Sequence, residues 1–206
     1  MKGLIHIYCG DGKGKTTAAI GLAVRAAGRG KRVVIARFLK NDDSGEVGVL
    51  ERVPGITLIP CRKSFGFTWN MTEKERQEAG AYYEALLEEA WELAGGLHRG
   101  ERAGEGAEKN GDKSGEKGTE KNGNKSREKG ADLLVLDEAL GACSAGMIRE
   151  ERLLKLLDEK PEGLEVVLTG RSPSEELLAR GDYVTRMEAV RHPYEKGIGA
   201  RAGVEY

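Results

Sequence analysis

Short continuous apolar runs recur along this chain, separated by longer stretches whose apolar residues fall at helical spacing. GLIHIYC (3–9) and RVVIARF (32–38) are β-branched runs of the kind that parallel sheets bury on both faces. Between them KTTAAIGLAVRAAGRG (15–30) reads as an Ala-rich helix ended by glycine. ITLIP (56–60), DLLVLD (132–137) and LEVVLTG (164–170) add three more strands, and YVTRMEAV (183–190) a last one. Helices are expected over 72–94 and 149–159, with a short one near 174–180. This alternation predicts an α/β fold, a mostly parallel sheet with helices on both faces.

One segment breaks the rhythm. Almost no apolar residue occurs from Gly95 to Gly130, and EKNGDKSGEKG (108–118) returns as EKNGNKSREKG (120–130). The repeat has no apolar face on which units could stack. Such a segment cannot offset its ordering entropy by burial. The expectation is therefore one domain over 1–206, interrupted by a low-complexity, disordered insertion at 96–130, with an interaction tether as the alternative role.

Charge and cysteine content narrow the setting. The 33 Lys and Arg nearly cancel the 34 Asp and Glu, so no net field draws the chain to nucleic acid or an anionic membrane. Cys9, Cys61 and Cys143 are three isolated thiols, read as small apolar fillers in a reducing compartment. The opening MKGLIHIYCG is too short in its apolar run for a signal peptide, and no stretch approaches a transmembrane length. A cytoplasmic location is expected.

The chemistry sits in CGDGKGKTT (9–17). The phosphate-loop pattern G-x-x-x-x-G-K-[ST] is met by Gly14, Lys15 and Thr16, while Cys9 stands where its first glycine belongs. A strand runs in and a helix runs out, and Gly10, Gly12 and Gly14 keep side chains off the ligand. Loop amides and the helix N-terminus would hold phosphates. Lys15 would add a mobile charge, and the Thr16 hydroxyl would bind Mg²⁺. Asp137 and Glu138 end the strand LLVLD, where a parallel sheet delivers carboxylates to a ligand crevice, and one or both would hold the metal. Together these motifs point to a nucleoside triphosphate.

GDGKGKTTAAIGLAVRAAGRGKRV resembles the first βα unit of the corrinoid (cob(I)alamin) adenosyltransferases of the CobA/BtuR type. In that family the loop typically lacks a glycine at the position of Cys9. RFLKN (37–41), GFTWN (66–70), LLVLDEAL (133–140), VVLTGR (166–171) and VRHPYEKGIGARAGVEY (190–206) extend the likeness to the C-terminus. The resemblance implies a P-loop NTPase (RecA-like) fold. It also implies transfer of the 5′-deoxyadenosyl group of ATP to the Co(I) of a reduced corrinoid, in adenosylcobalamin synthesis or salvage, with triphosphate leaving.

Carried onto this chain, the resemblance gives an ATP site of Gly10, Asp11, Gly12, Lys13, Gly14, Lys15, Thr16, Thr17 and Arg25. Lys15, Thr16 and Glu138 would act in catalysis, and Thr16, Asp137 and Glu138 would hold Mg²⁺ or Mn²⁺. Phe67 and Trp69 would pack on the corrin and exclude an axial ligand from cobalt; capping the core is their other reading. Arg25 reaches phosphate in one reading and is a solvated surface residue in the other. His192, without partners in the sequence, is read as structural. Cobalamin or cobinamide as substrate, a reduced flavoprotein as electron donor, and a homodimer are further implications. Many relatives carry a helical arm before the first strand, where this chain starts at the strand, and Asn70 replaces a common Glu. The rival functions are another P-loop ATPase or kinase using Glu138 on water or a hydroxyl, and a non-catalytic, ATP-dependent corrinoid carrier.

Overall fold

The structure, a computed structural model, describes residues 2–66, 71–95 and 130–205. Its strands are β1 (Ile5–Cys9), β2 (Val33–Arg37), β3 (Ile56–Leu58), β4 (Leu133–Asp137), β5 (Glu165–Thr169) and β6 (Tyr183–Arg186). They form one sheet in the order β3-β2-β4-β5-β1-β6, and each neighbouring pair is parallel. The helices are α1 (Lys15–Ala27), α2 (Val47–Leu50), α3 (Glu73–Leu93), α4 (Ala139–Ser144), α5 (Glu150–Asp158) and α6 (Glu175–Leu178). All six strands and the four helices anticipated from the sequence are present. The short α2 and α4 were not anticipated: four to six residues establish no helical period, and neither has a side-chain N-cap like the Ser174 that precedes α6.

Strand alternation sorts the core into two layers. Leu133 and Val135 of β4 join Val33, Ile35 and Val167 beneath Ala19, Ala23 and Ala27 of α1. Their small side chains let the helix lie close to the sheet. Leu134 and Leu136 point the other way and join Ala36, Val166 and Leu168 beneath Leu86, Leu87, Ala90 and Trp91 of α3. α3 starts at a capping box in which Thr72 Oγ1 accepts from the Glu75 amide while the Glu75 carboxylate accepts from the Thr72 amide. By the same alternation, Asp137 at the end of β4 and Thr169 at the end of β5 lie on the face that α1 covers.

The proposed insertion at 96–130 falls, except for Gly130, outside the described residues. Its two ends meet: the Ala131 amide donates to the Ala94 carbonyl at 3.1 Å, and Gly95 abuts Gly130 so closely that a Cβ on Gly95 would lie 2.7 Å from the Gly130 Cα. α3 thus feeds β4 directly. If one domain needs nothing from 96–129, replacing that segment by about four Gly/Ser residues shortens the loop roughly eightfold, or by three halvings. The change should keep stability or raise it by up to about 2 kcal/mol, since each halving of a loop is worth about 0.6 kcal/mol. Urea denaturation checks this; a loss above about 1 kcal/mol would mean that the segment packs on the domain.

Candidate functional site

The oddity of Cys9 has a simple structural origin. Cys9 is the last residue of β1, and its side chain is buried in the α3 layer with Ile5 and Ile7. The backbone turns only at the next residue, Gly10, whose φ of 101° belongs to glycine. Past that turn the loop runs beside the extension of β6: the Met187 amide donates to the Cys9 carbonyl at 2.8 Å, and the Gly12 amide donates to the Met187 carbonyl at 2.8 Å. A Cβ on Gly12 would lie 2.7 Å from the Glu188 backbone. The glycines are therefore required by the neighbouring strand as well as by any ligand. Gly14, with φ 110°, ends the loop and caps α1.

Lys15 opens α1, and its ammonium donates to the Gly12 carbonyl at 2.8 Å across the loop. Burial lowers its pKa, and the Glu138 carboxylate opposes that shift. Thr16 follows, and its hydroxyl donates to Asp137 Oδ1 at 2.9 Å. Asp137 has no solvent exposure. Its Oδ1 also accepts from the Thr169 hydroxyl at 2.6 Å, and its Oδ2 pairs with the Lys40 ammonium. Lys40 in turn donates to Thr16 Oγ1 at 2.8 Å. One buried carboxylate thus draws α1, β5 and the segment after β2 to a single point.

Glu138 takes a left-handed turn, φ 63°, as the N-cap of α4, and its amide donates to Thr169 Oγ1 at 2.8 Å. Gly141 leaves room for its carboxylate, since a Cβ there would lie 2.5 Å from Glu138 Oε1. Burial, and then the adjacent Asp137, raises the Glu138 pKa from its ordinary value, with Lys40, Lys15 and Arg171 acting against the rise.

Lys15, Thr16, Lys40 and Glu138 line a cavity of about 660 Å³ together with Asp11, Gly12, Lys13, Gly14, Thr17, Arg171 and His192, while Asp137 and Thr169 are buried and reach it through Thr16 and Lys40. The three non-glycine residues with left-handed backbone among those described are Leu39, Glu138 and Ser172, and all three line it. Strain of this kind collects at functional sites. Gly10 and Asp11 border a second cavity of about 590 Å³, which shares Asp11, Arg171 and Ser172 with the first.

The structure thus brings together Asp11 to Thr17, Asp137 and Glu138. Arg25 stays apart, exposed in the last turn of α1. Ten residues of helix separate it from Lys15, about 15 Å along the axis at 1.5 Å per residue. Phe67 and Trp69 lie outside the described residues. His192 borders the cavity but is engaged in its own turn, where its Nδ1 accepts from the Tyr194 amide at 3.2 Å, consistent with a structural role. Lys40, Thr169 and Arg171 were not singled out from the sequence. The available signal was their position at the carboxyl ends of β2 and β5, where a parallel sheet places ligand-binding residues.

A divalent cation can be tested against this geometry. Among the described residues no cluster of three or more His, Cys, Asp or Glu could hold a metal, so a cage made of protein alone is not available. The ammonium held between Thr16 Oγ1 and Asp137 Oδ2 nonetheless marks a place for positive charge lined by hard oxygens. That donor set suits Mg²⁺, which uses one or two protein oxygens and completes its shell with phosphates and water.

Compared with known proteins, residues 1–100 and 102–206 match the family described as ATP:corrinoid adenosyltransferase BtuR/CobO/CobP. A corrinoid adenosyltransferase of Sinorhizobium sp is 32% identical over the whole chain and 81% of its own length. Corrinoid adenosyltransferases of Escherichia coli K12 and Pseudomonas aeruginosa are 27% and 29% identical, again over the whole chain and over 86% and 84% of their own lengths. No described helix is long and apolar enough to cross a membrane.

The raised Glu138 pKa has a consequence for stability. The folded chain holds this proton more tightly than the unfolded chain, so folding loses stability as pH rises from the ordinary carboxylate value, about 4.3, through the higher folded value. At neutral pH the ionised side chain is therefore a net cost. Glu138→Gln should melt above the wild type near neutral pH, and the gain should shrink as pH falls into the carboxylate range. A lower melting temperature for Glu138→Gln near neutral pH would contradict the burial argument.

Proposed function

The chain belongs to the ATP:corrinoid adenosyltransferase family, and we propose that it transfers the 5′-deoxyadenosyl group of ATP to the Co(I) of a reduced corrinoid. The family's substrates are ATP and a corrinoid. The observation that carries the finer reading is the convergence of Lys15, Lys40 and Thr16 on one cavity beside a glycine loop, with the buried Asp137 bonded to Thr16 and Lys40. Cationic groups, loop amides and a metal-type oxygen pair gathered there suit a substrate whose triphosphate is held as a unit.

In this reading the Co(I) electron pair attacks C5′, the Co–C bond forms, and the C5′–O bond breaks with its electrons going to the departing triphosphate. Charge grows on that oxygen and spreads over the phosphates. Loop amides and Lys15 stabilise it where it develops. Thr16 and Asp137 would hold Mg²⁺ or Mn²⁺, with Glu138 beside them, and that ion would supply charge to neutralise the phosphates. Co(I) is itself the nucleophile, so no protein base has to generate one, and the task left to the chain is alignment. Phe67 and Trp69 would serve the corrin side by keeping an axial ligand off cobalt. A reduced flavoprotein as electron donor, a homodimer, a cytoplasmic location and a role in adenosylcobalamin synthesis or salvage belong to the same proposal.

The half-buried Glu138, whose pKa is raised by burial, supports a second reading, an ATPase or kinase in which this carboxylate orients water or a hydroxyl. The two differ in product. With ATP, Mg²⁺ and chemically reduced cobalamin, the transferase turns the corrin spectrum to that of the alkylated form with one triphosphate per turnover. ADP and phosphate with an unchanged corrin spectrum would support the ATPase, and tight corrinoid binding without turnover would support a carrier.

Two variants test the assignment of roles. Lys15→Ala should lower kcat/KM by the equivalent of at least ~2 kcal/mol, because it removes a donor aimed at developing charge. Near wild-type kcat/KM in the folded variant would take the loop out of the chemistry. The Phe67→Ala, Trp69→Ala double variant should keep its ATP affinity and substantial activity on preformed Co(I), yet be severely impaired when starting from Co(II) and a mild reductant. Equal loss in both assays with a collapsed melting temperature would make these rings structural.

A further inference from the structure

Lys40 stands on the segment that leaves the carboxyl end of β2. That segment is held firmly. Arg37, whose side chain has no solvent exposure, pairs with Asp42 and donates from Nη1 to the Asn41 carbonyl at 3.2 Å. Asp42 Oδ2 accepts from the Cys61 amide at 3.0 Å, which ties the turn to the end of β3. Within it Leu39 takes a left-handed backbone, φ 54°. The effect of this clamped and strained turn is to direct Lys40 into the site, where its side chain is 22% exposed.

The two oxygens that its ammonium reaches, Thr16 Oγ1 at 2.8 Å and Asp137 Oδ2, are the two best placed to hold a divalent cation. A metal at about 2.1 Å from them would sit almost where the ammonium nitrogen sits. Two cations with no anion between them cannot share that place, because at such separations their repulsion dominates every weak contact on the turn. Lys40 therefore has to leave Asp137 when a metal enters, and its charge then needs another anionic partner. The phosphates of a nucleotide in the shared cavity provide one.

We infer that Lys40 is a tethered competitor of the divalent cation: it neutralises Asp137 until metal and nucleotide arrive together, then moves onto the triphosphate, so that metal uptake is coupled to nucleotide uptake. This rests on the reading of the loop as a metal–nucleotide site and adds a binding residue to it. Asp137 carries no other cationic partner among the described residues, whereas Lys15 is engaged across the loop with Gly12. The two lysines consequently divide the work, Lys15 for the phosphates alone and Lys40 alternating between carboxylate and phosphate.

The test is a Mn²⁺ titration of the full-length chain without nucleotide, read by the paramagnetic resonance signal of free Mn²⁺. Lys40→Met, which keeps a stem of similar length without the charge, and the shorter neutral Lys40→Gln should bind Mn²⁺ more tightly than the wild type by roughly tenfold or more, within the usual range of coupling between sites. Lys40→Arg should behave as the wild type. Adding Thr16→Val to Lys40→Met should abolish the gain. Unchanged Mn²⁺ affinity in the neutral variants, an equal gain in Lys40→Arg, or a gain that survives Thr16→Val would each overturn the inference. In the wild type, which needs no substitution to fold, saturating Mn²⁺ alone should raise the rate at which an amine-acylating reagent modifies Lys40, followed by mass spectrometry; an unchanged rate would overturn it too. None of these measurements reads adenosyl transfer, so failure of the proposed reaction and failure of the Lys40 exchange are distinguishable.

Discussion

The site depends on a buried carboxylate. Asp137 has no solvent exposure, and a charge placed there is tolerable only if donors surround it. Thr16, Thr169 and Lys40 are those donors, and they come from α1, β5 and the segment after β2. The need to satisfy one anion therefore fixes the relative placement of three elements that are distant in sequence. β4 can deliver Asp137 to this point because it is central, paired with β2 on one side and β5 on the other. Alternation along the strand then turns the side chain toward α1 instead of α3.

Around this anchor the chain accepts unfavourable backbone and unfavourable charge. Leu39, Glu138 and Ser172 all adopt conformations that favour glycine, and Glu138 and Lys15 are both shifted by burial toward their neutral forms. The packed layers on either side of the sheet supply the stability that sustains them. Such a concentration of cost in one cavity is what a site evolved for binding and reaction looks like, since a purely structural crevice would lose these features without penalty.

Much of this was legible in the sequence, for identifiable reasons. Apolar runs marked the first five strands and the β-branched YVTR the sixth, and the loop and LLVLDE marked where phosphate and metal chemistry would fall. The conflict at Cys9 disappears once β1 is seen to run one residue further than the glycine pattern assumes. Lys40, Thr169 and Arg171 were missed because their significance comes from the strand order β2-β4-β5, which joins residues some 97 to 121 positions apart in the contacts Lys40–Asp137 and Thr16–Asp137. Spacing along a chain carries no such information. Arg25 shows the limit of the same reasoning: it is near the loop in sequence, yet the rise of the helix sets it about 15 Å along the axis from Lys15.

The central claim is that the site holds the whole triphosphate while C5′, and not phosphorus, is attacked. The most direct measurement is a reaction of ATP with chemically reduced cobalamin in water enriched in ¹⁸O, with the phosphate products analysed by mass. Attack at C5′ leaves every phosphorus–oxygen bond intact, so the account predicts triphosphate free of solvent ¹⁸O in amounts equal to the alkylated corrinoid. Solvent ¹⁸O in inorganic phosphate formed alongside ADP, with no alkylated corrinoid, would contradict it.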